Sequence, residues 1–235
     1  MLSRFRPQVD VLIVVAFLVV TNLVAHFTTP LADIAAVPLA ALCLVGLIRW
    51  RGLDWADLGL GREHLRSGLG YALAAVAVVV SVIAIGVALP ITRPMFLNSH
   101  YATVSGALLA AIVIIPLHTV IPEELAFRGV LNGTLHRAWG FRGVTVVGSL
   151  LFGLWHVASS LGLTRGNVGF TKVLGGGFFG MLAGVAMAVV ATGAAGFAFS
   201  WLRQRSGSLI APIALHWSLN GVGALAAALV WHLAA

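Results

Sequence analysis

From 102 to 121 the chain runs without one charged side chain, and runs of this kind recur along its whole length. About 20 consecutive apolar residues suffice to cross the ~30 Å hydrocarbon core of a bilayer as a helix. Inside lipid every backbone N–H and C=O must find a partner within its own segment, which leaves the helix as the natural reading of such runs. The pattern predicts spans over 9–27, 31–48, 69–89, 102–121, 144–161, 173–201 and 209–231. A continuing or re-started helix follows the fourth, over 123–139. Soluble domains carry about 25% charged residues. Here the figure is 9%, with 60% hydrophobic residues, too little charge to cover a soluble surface. The expected fold class is therefore all-α, a polytopic transmembrane helix bundle of about seven spans. It forms a single integral membrane domain over 1–235, with three spans lacking motifs in 1–101 and a core of about four spans in 102–231.

The net charge of +7 does not point to nucleic acid, because the basic residues are scattered among loops. It fits the preference of basic residues for the cytoplasmic side. With the N-terminus cytoplasmic, the inner segments hold Arg4, Arg6, Arg49, Arg51, Arg62, Arg66, Arg137, Arg142, Arg203 and Arg205, and the outer ones hold Arg93, Arg165 and Lys172. A multi-pass cell-membrane protein follows, with lipids as its first partners. The arginine bias and the richness in Ala, Val, Gly and Leu suggest a bacterial inner membrane. Trp50, Trp55, Trp139, Trp201 and Trp231 read as anchors in the headgroup layer. The lone Cys43 reads as a small buried packing residue. Gly176, Gly180 and Gly184 form a small-residue ridge that reads as close helix packing.

Against this apolar background the polar residues stand out. Glu123 and Glu124 are two of only seven acidic residues, and a carboxylate in a lipid-facing helix costs about 2.5–3.5 kcal/mol on insertion scales. Helix neighbours point about 100° apart, so the two cannot face one small site together. Glu124 and Arg128 are spaced i, i+4 and fall within salt-bridge reach. Glu123 is left as the free carboxylate, suited to act as a general base toward water. The plainer reading makes Pro122 the first residue of an interfacial helix, with acids in its first turn. His156 follows the apolar run after Phe152, toward the middle or outer half of the fifth span. His216 and Asn220, again i, i+4, share one face of the last span and form a plausible donor pair for an oxyanion. Taken singly, His156 reads more readily as a satisfied packing residue, and His216 with Asn220 as interhelical hydrogen bonders. Taken together, these residues satisfy one another in lipid best by converging in one cavity. His26, His100, His118, His136 and His232 lie near predicted span ends and are left out of the site.

Glu123-Glu124-x-x-x-Arg128, Phe152-x-x-x-His156 and His216-x-x-x-Asn220, in this order on successive spans, resemble the three motifs of the CPBP family. That family contains the CAAX prenyl endopeptidases and the bacterial Abi-type intramembrane proteases. The resemblance covers roughly 102–230. It implies an intramembrane endopeptidase with a cavity reached from the cytoplasm and a peptide or lipidated protein as substrate. It further implies that Glu123 activates water with help from His156, and that His216 and Asn220 stabilise the oxyanion. Glu124, Arg128 and Phe152 would support the site or orient the substrate. No cofactor is expected; the alternative is Zn2+ on Glu123, His156 and His216. Two rival readings are a non-catalytic membrane scaffold or immunity protein of the same fold, and a proton-coupled transporter, which lacks support from any inverted repeat.

Overall fold

The computed structural model describes residues 6–163 and 167–234; Arg4 and Arg165 of the orientation argument lie outside them. Among the described residues it is a helix bundle without strands. The principal helices are α1 (Pro7–Phe27), α2 (Pro30–Arg51), α3 (Leu65–Ala88), α4 (104–139), α5 (141–155), α6 (Gly177–Ser206) and α7 (Ile210–Ala234). Six segments are long and apolar enough to cross a membrane, because the 52-residue stretch Val104–Trp155 holds both α4 and α5.

Two of the predicted boundaries are corrected. The helix does not restart at Pro122 but runs on from 104 to 139, which removes the reading of the glutamates as an interfacial helix start. Pro116 and Pro122 each withdraw an N–H from the ladder. The chain absorbs this by winding as a π-helix over Ala110–Val120 and again over Leu125–Leu131, with one α-helical piece, Ile121–Glu124, between them. Such π segments are frequent at functional sites. The fifth span ends at Trp155, short of the predicted 161, so His156 caps the helix instead of sitting within it.

The break between α4 and α5 falls at Gly140, whose φ of 63° and ψ of −156° suit glycine alone. The chain folds back on itself there. Gly148, eight residues after the break, lies against Asn132, eight residues before it (148 − 140 and 140 − 132): a Cβ on Gly148 would stand 3.1 Å from the Asn132 Oδ1. This mirror register pairs Phe152 with Arg128 and brings Trp155 level with Glu123.

In lipid, helices associate through close packing and hydrogen bonds, since the surroundings are as apolar as the contact. One close approach is between α5 and α6, at Gly153, Gly193 and Gly196. A Cβ on Gly153 would lie 2.7 Å from the Val189 carbonyl oxygen. These glycines, more than the expected ridge at 176–184, make the tight crossing; Gly176 itself is exposed. Gly153→Val should force the helices apart and lower stability by about 1–3 kcal/mol, read as a lower melting temperature in detergent. An unchanged melting temperature would mean the crossing is not this tight. The main core gathers Val14, Leu18, Leu44, Ile48, Phe127, Leu131, Leu135 and Phe152. Cys43 is not in it: its side chain faces outward from α2, where the bilayer offers a surface as apolar as a core.

At the arginine-rich end, Asp10 pairs with Arg51 and ties α1 to α2. The loop after α2 is held against α4 and α6 by an Arg137–Asp57 pair and by Arg203, which donates from Nη2 to the Ala56 and Asp57 carbonyls at 3.1 and 2.9 Å. In this loop the Asp57 backbone N–H donates to the Asp54 carboxylate and holds it below the ordinary carboxylate range.

Candidate active site

Glu124 and Arg128 form the expected pair on α4. Arg128 Nη1 donates to Glu124 Oε1 at 3.2 Å, with the two residues 1% and 0% exposed. The guanidinium lies over the rings of Phe152, at 3.8 Å, and Phe199, at 4.7 Å. Aromatic faces suit a desolvated cation, and the mirror register about Gly140 is what delivers Phe152 to this position. The same Glu124 oxygen accepts from His216 Nδ1 at 2.9 Å. The His216 ring stacks on Phe199 with centroids 5.0 Å apart. α4 and α7 are thus joined by an arginine–carboxylate–imidazole chain, a partnership sequence spacing did not show.

Glu123 points elsewhere, as helix geometry requires. One of its oxygens, Oε1, accepts from the indole N–H of Trp155 at 3.1 Å. The other, Oε2, is buried without a hydrogen-bond partner. His156 Nδ1 contacts the Phe152 carbonyl at 2.8 Å. A carbonyl only accepts, so Nδ1 carries the proton and Nε2 of neutral His156 presents a lone pair.

A cavity of about 590 Å³ collects Glu123, Phe152, His156, His216 and Asn220 along its wall; Glu124 and Arg128 lie behind that wall. Sequence reasoning missed several lining residues. His26 and His118, placed with the helix ends, also line it, with Asp33; Trp155, next to His156, lines it as its position beside a catalytic candidate suggests. His118 is fourteen residues inside the uninterrupted α4 (118 − 104), and its Nε2 contacts the Asp33 carbonyl at 2.9 Å. α1 and α2, which carry no motif, therefore help enclose the site.

Burial runs the same way along each wall. Phe152 and Trp155 are buried while Ser159 is exposed; Phe199 is buried while Ala191 is exposed; His216 is buried while Asn220 is exposed. In each case the exposed residue is farther along the chain from the arginines of the expected inner segments, Arg142 for the first and Arg203 and Arg205 for the other two. These walls are thus more deeply buried toward the arginine-rich loops.

A family model described as Type II CAAX prenyl endopeptidase Rce1-like matches residues 105–222, about half of the chain. The chain belongs to this family. No curated protein and no solved structure matches it. The Rce1-like match begins on α4 and ends within α7, so it holds every motif residue, whereas the α1 and α2 part of the cavity wall lies outside it. The Rce1-like family is a peptidase family, and the bundle is that of a multi-pass membrane protein.

The chemistry of the donors suits a metal in one respect: His156 and His216 each spend Nδ1 on a protein acceptor and leave Nε2 over, as metal-binding histidines do. Their placement does not suit it. Among the described residues no three of His, Cys, Asp and Glu gather closely enough to hold one ion. No step below is routed through a metal.

Proposed function

We propose that this Rce1-like chain is an intramembrane endopeptidase that hydrolyses a peptide bond in a membrane-associated substrate, of which a prenylated CAAX-type protein is one candidate. The observation that carries the reading is the shared cavity. A carboxylate with one unpartnered oxygen, two imidazoles and an amide, supplied by three helices, all border it.

The roles follow from what each atom has left to offer. Glu123 Oε2 accepts a proton from water as the oxygen attacks the substrate carbonyl carbon. The carbonyl π bond opens and its oxygen becomes an oxyanion. Asn220 donates to it from the side-chain amide, and His216 donates from Nε2 when doubly protonated. Nδ1 of His216 is engaged by Glu124, which fixes the ring. Collapse of the intermediate breaks the C–N bond. The proton taken by Glu123 passes to the leaving amine, with the His156 Nε2 lone pair available as a relay. Phe152 and Phe199 keep Arg128 out of the reaction space, so its charge supports Glu124 without meeting the substrate.

The test is a comparison of membrane-peptide termini between cells carrying the natural chain and cells carrying Glu123→Ala. Termini that vanish in the variant are expected. Identical peptide termini in the two would overturn the peptidase reading.

A further inference from the structure

Glu123 must present one oxygen to water, yet a carboxylate is symmetric and free to turn about its last bond. We propose that Trp155 is the positioning residue that breaks this symmetry, and that Asn22 of α1 holds Trp155 in turn. The catalytic meaning rests on the peptidase reading; the geometry does not.

The indole N–H is donor only, and it reaches Glu123 Oε1 at 3.1 Å. With Oε1 engaged, Oε2 is left buried and unpartnered on a residue that lines the cavity. Trp155 cannot swing away easily. It is 8% exposed and packs edge-on against Phe127, centroids 5.4 Å apart. Its backbone is held as well. The carbonyls of a helix's last turn lack intrahelical donors, and at the end of α5 the Asn22 side chain supplies one, Nδ2 donating to the Trp155 carbonyl at 3.0 Å. Asn22 lies outside the matched segment 105–222.

Two other tryptophans show the ordinary use of an indole N–H in this fold. Trp217 donates to the Ala111 carbonyl at 2.8 Å and Trp231 to the Asn98 carbonyl at 3.0 Å. Trp155 is set apart by donating to a carboxylate. A merely structural Trp155 would be insensitive to the chemistry of that carboxylate; a positioning one would not.

The deciding measurement is the ¹⁵N–¹H spectrum of the indole groups in detergent micelles, with the Trp155 signal assigned by its loss in Trp155→Phe. Glu123→Gln should move the Trp155 signal and leave those of Trp217 and Trp231 in place. Glu123→Asp, which withdraws the carboxylate but keeps its charge, should move it too and serves if the first variant does not fold. Asn22→Ala should move the same signal. In proteoliposomes, Trp155→Phe should lower kcat for a farnesylated CAAX peptide about tenfold with KM unchanged, the scale of one hydrogen bond to a charged group. A Trp155 signal unmoved by either Glu123 variant overturns the proposal whatever the peptidase assay shows. A signal that moves while no peptide is cleaved counts against the peptidase reading alone.

Discussion

Glu123→Gln is expected to lower peptide hydrolysis by about 10²- to 10⁴-fold, the usual scale for loss of a positioned proton acceptor, while leaving the melting temperature in detergent unchanged. The side-chain carbonyl of glutamine can still accept from the Trp155 indole, so the contact at 3.1 Å has a replacement and the fold has no reason to loosen. What disappears is the second oxygen, the one without a partner. An amide nitrogen in its place cannot take a proton from water. The assay is cleavage of a farnesylated CAAX peptide, or of a substrate found by the terminus comparison, in proteoliposomes with and without chelator. The natural chain should work in chelator. Activity lost there and restored by Zn2+ would place an ion on Glu123, His156 and His216. A biological effect of the chain that survives Glu123→Gln unaltered would favour the non-catalytic scaffold.

The largest effect on stability should come from Arg128→Met. This change removes the guanidinium that lies over Phe152 and Phe199 but keeps much of the side chain's aliphatic length. Glu124, with no exposure, then retains only the His216 contact. Leaving one partner of a buried ion pair uncompensated costs about 3–5 kcal/mol. The variant should therefore melt well below the natural chain and lose activity with its folded population. Adding Glu124→Gln removes the stranded charge and should recover part of the loss, because residues in one network do not act additively. Should Arg128→Met melt with the natural chain, the pair is not what joins α4 to its neighbours.

Helical spacing made one part of this site readable. Glu124 with Arg128 and His216 with Asn220 are i, i+4 pairs, and the divergence of Glu123 from Glu124 follows from the helix itself. The remainder depends on contacts that leave no local period. Trp155 reaches Glu123 across 32 residues and Asn22 reaches Trp155 across 133. Pro122 suggested a helix start because proline usually ends a ladder, but π winding on either side let α4 pass through, and with that His118 moved from a helix end into the cavity wall. One signal could have carried more. Gly140 stands between two aromatic residues at a point where the chain must turn. Counting outward from it pairs 128 with 152, which is the contact observed.

The site has a consequence for how the protein is made. Its parts lie on helices that leave the ribosome at very different times, and Glu124 precedes His216 by 92 residues. At about 5–20 residues per second of synthesis, α4 waits roughly 5 to 20 s for α7. During that interval Arg128 is the partner available within α4 to offset the charge of Glu124. The i, i+4 pair thus acts as a built-in counterion for membrane insertion, and until the last helix has docked the cavity lacks the His216 and Asn220 part of its wall.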